Sequence, residues 1–215
     1  MSHVEDDHHD EHDDHDVDLT PSTTPGYKPA GPVKSAEEYA KLDAEDESLA
    51  RWKASLGIVP GAGGPATGPK VTVLTLELHS DTLPAGKHIE FRVDDAARLE
   101  EIRKTPIVIK EGIKYNVIIK FKVNHSIISG VRYIQAVSRV VTKSTKIPVD
   151  KLDQMLGSYG PHPKGEAYSK TFPEETSPSG MLARSGTYVV KSRVVDDDGE
   201  VYAEWAWSFK LAKEW

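Results

Sequence analysis

Residues 196–215 read DDDGEVYAEWAWSFKLAKEW. After the acidic turn, Val201, Ala203, Trp205, Trp207, Phe209 and Leu211 recur at every second position, with Tyr202, Glu204, Ala206, Ser208, Lys210 and Ala212 between them. Side chains alternate across a β-strand with that period, so the segment is a strand and both tryptophans enter one interior. Two readings of that interior stand side by side. It is an ordinary aromatic core, or it walls a space between two sheets that takes an apolar ligand.

Upstream, the same period repeats. In IKYNVIIKFKVN (113–124), Ile113, Tyr115, Val117, Ile119, Phe121 and Val123 alternate with mostly polar partners. VTVLTLELHS (71–80), HIEFRV (88–93), TPIVIK (105–110), VRYIQAVSRVV (131–141), EAYSKTF (166–172) and GTYVVKSRVV (186–195) read as further strands, divided by turn signals such as KEG, SYGPHPKG and DDDG. Many short strands with no helical period between them predict an all-β protein: an antiparallel β-sandwich of ~8–9 strands over residues 70–215.

The remainder of the chain has a different composition. Residues 1–34 form an acidic, His-rich and then Pro/Thr/Ser-rich tail with too little apolar content to offset ordering entropy, and are expected to be disordered alone. Residues 35–57 are predicted to be a helical arm, one broken helix or two short ones. Ser35 and Glu38 make a capping box, and a second start at Asp43 places Glu45, Asp46 and Glu47 in a first turn. Leu49, Trp52 and Leu56 form one apolar stripe, which docks on its own sandwich or on a partner. Residues 58–69 are a Gly/Pro linker.

Charge is equally uneven. The net charge is −7, but residues 1–18 carry nine acids and no Lys or Arg, so the body is nearly neutral. A basic nucleic-acid face is not indicated. The absence of cysteine excludes disulfides, thiolate metal sites and a cysteine nucleophile. No apolar run reaches the ~20 residues of a membrane span, and the acidic start is not a secretory signal, so a soluble cytosolic protein is expected. His3, His8, His9, His12 and His15 alternate with carboxylates, but a tail without fixed geometry makes a poor metal site. No nucleophile elbow, P-loop or HExxH motif is present, so no enzyme, cofactor or metal site is assigned.

Several longer stretches resemble one family. LDAEDESLARWKASLG (42–57), ISGVRYIQ (128–135), MLGSYGP (155–161), SGMLARSGTYVVKSRVVDDD (179–198), the terminal W-x-W strand and Tyr27 of YKP are similar, in order, to Rho GDP-dissociation inhibitors. The resemblance implies that the all-β body is an immunoglobulin-like β-sandwich, and that the protein is a regulator that binds GDP-bound, geranylgeranylated Rho-family GTPases (Rho, Rac and relatives) one to one. It slows GDP release and extracts the GTPase from membranes by burying the isoprenoid between the sheets. It further implies that Tyr27, Asp46, Ser48, Leu49, Trp52 and Leu56 meet the GTPase switch regions. Leu76, Ile107, Tyr115, Ile127, Met181, Leu182, Val190, Trp205 and Trp207 would line the isoprenoid pocket. Glu174, Glu175, Asp196, Asp197 and Asp198 would attract the basic stretch before the lipidated cysteine. A general prenyl carrier without nucleotide control is the alternative, and such carriers lack the LDAEDESLARWK arm. Two departures stand out: SRVVTKSTKIPVDKLDQ (138–154) is longer than in the family, an expected loop insertion, and Ile107 stands where Phe is common.

Overall fold

The computed structural model describes residues 19–21, 36–42, 45–55, 67–142 and 145–215. Within these, ten strands form two five-stranded sheets. One contains β1 (Val71–His79), β2 (Ile89–Arg92), β4 (Lys114–Val123), β7 (Tyr168–Thr171) and the two-residue β8 (Glu175–Thr176), in the order β2-β1-β4-β7 with β8 also on β4. The other contains β3 (Ile107–Lys110), β5 (Ile128–Val140), β6 (Lys146–Tyr159), β9 (Thr187–Val195) and β10 (Val201–Ala212), in the order β3-β10-β9-β5-β6. All pairings are antiparallel except β3 with β10. The sandwich is thus the expected all-β fold, with more strands than the turn signals count.

Register carries the sequence pattern into the core. On β10, Trp205 pairs with Ser192, Trp207 with Val190 and Phe209 with Tyr188 of β9, all buried. From the other sheet, Leu76, Ile119 and Phe121 meet them with almost no exposed surface. One buried polar cluster is satisfied within the interior. The Tyr133 hydroxyl donates to Gln135 Oε1 (2.7 Å) and lies 3.0 Å from Ser192 Oγ, and burial pushes its pKa upward, so it stays a neutral phenol.

Four features depart from the sequence expectation. The segment read as a loop insertion within 138–154 is mostly strand: β6 runs fourteen residues along the sheet edge and is half-exposed or exposed at nearly every position. With both faces wet, alternation vanishes from its sequence, and Pro148 is tolerated because an edge strand has one unpaired side. Helix α3 (Ala96–Lys104) lies between β2 and β3, where no helical period was read. It starts because the Asp95 side chain accepts from the N–H groups of Ala97 (3.0 Å) and Arg98 (3.1 Å), and only Leu99 and Ile102 pack on the core, too short a stripe to read. In the arm, α1 (Ala36–Lys41) and α2 (Glu47–Ser55) are two short helices. The second starts at Asp46 rather than Asp43: Asp46 Oδ1 accepts from Ser48 N (2.8 Å) and Leu49 N (3.1 Å). Asp43 itself, like Ser35, lies outside the described residues.

The fourth departure falls in the tail. Leu19 is buried against Ile134, Ala136 and Val195 on the outer face of β5 and β9. Lys151 Nζ donates to the Thr20 carbonyl at 3.3 Å, and Arg193 reaches the Leu19 carbonyl at 3.5 Å. One leucine and two backbone carbonyls thus dock a segment that composition alone assigns to disorder. The tail histidines, Tyr27 and the rest of 1–34 lie outside the described residues.

Candidate functional site

A cavity of about 470 Å³ opens between the sheets, within the ~300–1,000 Å³ range of small-ligand sites. Leu76 and Leu78 of β1, Phe91 of β2 and Val117 of β4 wall one side, and Val190 of β9 with Trp207 and Phe209 of β10 the other. Tyr115, Val137, Tyr188 and Ile109 fill the sides. Strand period explains the set: each wall residue occupies the inward parity of its strand. Phe91 and Trp207 lie 4.9 Å apart, and Tyr188 stacks on Phe209 at 4.8 Å, giving rigid aromatic walls.

The predicted pocket residues divide. Leu76, Tyr115, Val190 and Trp207 line the cavity. Trp205 points inward but packs against Tyr133, at 6.0 Å, rather than lining it. Ile107 stands beside Phe209 in the β3–β10 ladder, half-buried behind the wall. Ile127 is half-buried in the turn before β5. Met181 and Leu182, on the four-residue helix α4 (Met181–Arg184), are 80 % and 73 % exposed. Leu78, Phe91, Val137 and Phe209 are lining residues the resemblance did not name, although Phe209 and Val117 share the inward alternation of named neighbours. The indole N–H groups of Trp205 and Trp207 are both buried without an acceptor among the described residues. Each costs about 1–3 kcal/mol, a loss that Phe would avoid in a core built for stability alone.

The mouth is chemically specific. Tyr115 donates its hydroxyl to Glu175 Oε2 at 2.9 Å, and burial, then Glu175, push the phenol's pKa upward, keeping it a donor. Glu174 pairs with Lys114 at 2.7 Å, and Asp150 and Glu175 lie on the cavity rim. Helix α4 is held by Glu111, which accepts from Arg184 (2.5 and 2.6 Å) and Gly180 N (2.8 Å). The Arg184 guanidinium, with the Gly180 N–H, holds the Glu111 carboxyl below its ordinary pKa. On the far side of the helix, Arg139 donates to the Leu182 carbonyl at 2.9 Å.

The second acidic group stands elsewhere. Asp196 is buried and organises the β9–β10 turn, accepting from Asp198 N (3.0 Å), Glu200 N (2.9 Å) and the Tyr202 hydroxyl (2.5 Å). Asp197 lies over Gly130, whose φ of +62° and closeness to that carboxylate exclude a side chain. Burial raises the Asp197 pKa against the pull of Arg132. Along β9 the turn is some six residues from Val190, about 20 Å, so the structure does not bring Asp196–Asp198 together with Glu174 and Glu175. Among the described residues, no group of three or more His, Asp or Glu is placed to hold a metal ion.

The arm presents its own surface. Lys53 is buried, its ammonium on the Leu42 carbonyl, which ties α2 back to the end of α1. Leu49 is half-buried, Trp52 is 58 % exposed and Ser48 is exposed. Leu56 lies outside the described residues.

The comparisons with known proteins agree with this geometry. The family described as RHO protein GDP dissociation inhibitor matches residues 5–214. The Rho GDP-dissociation inhibitor of Schizosaccharomyces pombe is 43 % identical over 185 residues, 86 % of this chain and 85 % of that one. Rho GDP-dissociation inhibitor 1 of Bos taurus is 42 % identical over 190 residues, 88 % and 86 % of the two chains. The Rho GDP-dissociation inhibitor of Saccharomyces cerevisiae is 39 % identical over 185 residues, 84 % and 88 %. The chain belongs to the Rho GDP-dissociation inhibitor family.

Proposed function

We propose that this protein binds GDP-bound, geranylgeranylated Rho-family GTPases as a one-to-one complex, slows GDP release and removes the GTPase from membranes. The observation that carries the proposal is the aromatic-walled cavity between the sheets. An isoprenoid cannot remain in water, and at ~0.8 kcal/mol per CH₂-sized group its burial is worth on the order of 10 kcal/mol gross, enough to compete with a bilayer. Leu76, Tyr115, Val190 and Trp207 would contact the chain directly; Ile107, Ile127 and Trp205 would support the walls; Met181 and Leu182 would close over the entrance. Glu174 and Glu175 at the mouth suit the basic peptide before the lipidated cysteine, and Asp197 and Asp198 would meet the complex at the other end of the sandwich.

The arm supplies nucleotide control. Asp46 fixes α2, and its cap orients Ser48, Leu49 and Trp52 toward the switch regions, with Tyr27 and Leu56 flanking them. A regulator of this kind acts by occupancy, so no residue is given a catalytic role. Among the described residues no helix is long and apolar enough to cross a membrane, consistent with a cytosolic protein that meets membranes transiently.

The test is release of a fluorescent GDP analogue from a geranylgeranylated Rho-type GTPase and from its unprenylated form. Slowed release that saturates near one-to-one and depends strongly on the lipid is expected. Lipid-dependent binding with unchanged release would replace the proposal with a general prenyl carrier.

A further inference from the structure

The end of the β5–β6 hairpin has no task in this mechanism. Beyond the bulge at Val137 and Ser138, it runs past the cavity and ends where Val141 N donates to Thr145 O at 2.9 Å. Ile147 pairs with Arg139, and Arg139 holds the Leu182 carbonyl, so the hairpin end and α4 form one continuous rim. Val149 at its base lines the cavity. This rim carries Val141, Ile147, Val149, Met181 and Leu182, five of the ten large apolar side chains that are exposed among the described residues. Clustering on that scale marks an interaction surface rather than chance exposure. Toward the hairpin end stand Arg139 and Lys146, and the nearest carboxylate along the hairpin is Asp150 at its base.

The opposite lip differs. There Glu174 pairs with Lys114, and Glu175 takes the Tyr115 hydroxyl. One lip carries Glu174 and Glu175; the other is mainly apolar, with Arg139 and Lys146 toward its end and Asp150 at its base, and the cavity opens between them.

We infer that the β5–β6 hairpin end and α4 form a lip that rests in the headgroup region of an anionic phospholipid bilayer, holding the cavity mouth against the surface from which the isoprenoid is taken. The inference rests on the isoprenoid reading of the cavity. Its occupant is chosen by chemistry. Short apolar side chains edged with Lys and Arg partition into an anionic interface, and continuity with the cavity places that interface where a lipid chain must enter. A soluble protein partner would not need the apolar residues to join the pocket wall.

Vesicle sedimentation of the full chain tests it, with vesicles of pure phosphatidylcholine and of phosphatidylcholine containing phosphatidylserine. Wild type should sediment measurably and more strongly with the anionic vesicles. Val141→Asp with Ile147→Asp should lower partition by about tenfold on both. Lys146→Gln should lower it by about fivefold on anionic vesicles only. Binding of a fluorescent geranylgeranyl-cysteine peptide in solution should be the same in all variants, which also shows that they fold. Wild type that sediments with neither vesicle, or variants that partition like wild type, would overturn the lip. Failure of wild type to bind the peptide would overturn the cavity reading beneath it.

Discussion

Two tryptophans summarise the division of this molecule. Trp207 is 6 % exposed, wedged beside Phe91 and Phe209 in a cavity wall that exists before any ligand arrives. Trp52 is 58 % exposed on a nine-residue helix tied down by one cap and one lysine. The sandwich presents a preformed cavity, where a ligand would meet little cost of ordering the walls. The arm presents Trp52 to solvent, a surface that the proposed function buries on the GTPase. On the proposed function, the same residue type walls a pocket in one region and meets a partner in the other.

The largest expected effect separates the regions outright. Removing residues 1–60 should abolish the slowing of GDP release while leaving geranylgeranyl-peptide binding intact; a truncated chain that still slows release like the full one would erase the distinction. Next, Trp207→Ala should cost ~3–5 kcal/mol in urea unfolding, whereas Trp52→Ala should stay within ~0.5 kcal/mol. In GTPase binding, measured by titration, Trp52→Ala should lose at least ~2 kcal/mol, the behaviour of an interface anchor. Equal stability losses in the two variants would mean that Trp52 belongs to the protein's own core. A smaller effect sharpens the arm: Asp46→Ala should remove ~1 kcal/mol of helix stability, visible as lost helical circular dichroism and a weaker GTPase complex. The smallest concerns α4. Because the Glu111 carboxyl titrates below its unfolded value, its tether is present above the ordinary carboxylate pKa of about 4.3 and is lost as pH falls through the folded pKa. The stability advantage of wild type over Glu111→Gln should therefore be full near neutrality and vanish in acid.

Much of the sandwich was readable because burial on one face writes a period of two into a strand. The inward sets of β4 and β10 were visible residue by residue, and β1 and β9 were visible as strands. β6 was not, since a strand wet on both faces has no period, and α3 was not, since two apolar contacts make no stripe. The cavity was half-legible: alternation says which side chains face inward, but whether they close ranks or stand apart depends on the separation of the sheets. Trp205 and Trp207 share parity and neighbourhood, yet only Trp207 reaches the cavity. The wide separation of Glu174–Glu175 from Asp196–Asp198 is likewise a matter of which end of a strand each turn occupies, and composition does not record it.

The docking of Leu19 changes what kind of object the arm is. The chain leaves the outer face of one sheet at Leu19 and enters the other at Val71, so α1 and α2 ride on a bridle fastened at both ends rather than on a leash. Lengthening such a bridle is inexpensive, about 0.6 kcal/mol for each doubling, which leaves wide latitude for insertions between its fastenings. Its weaker fastening is one buried leucine, worth roughly 1.5–3 kcal/mol, with two long contacts to backbone carbonyls. If the arm is drawn taut on a GTPase, as the proposed function implies, that contact is the fuse expected to give way before the strands do.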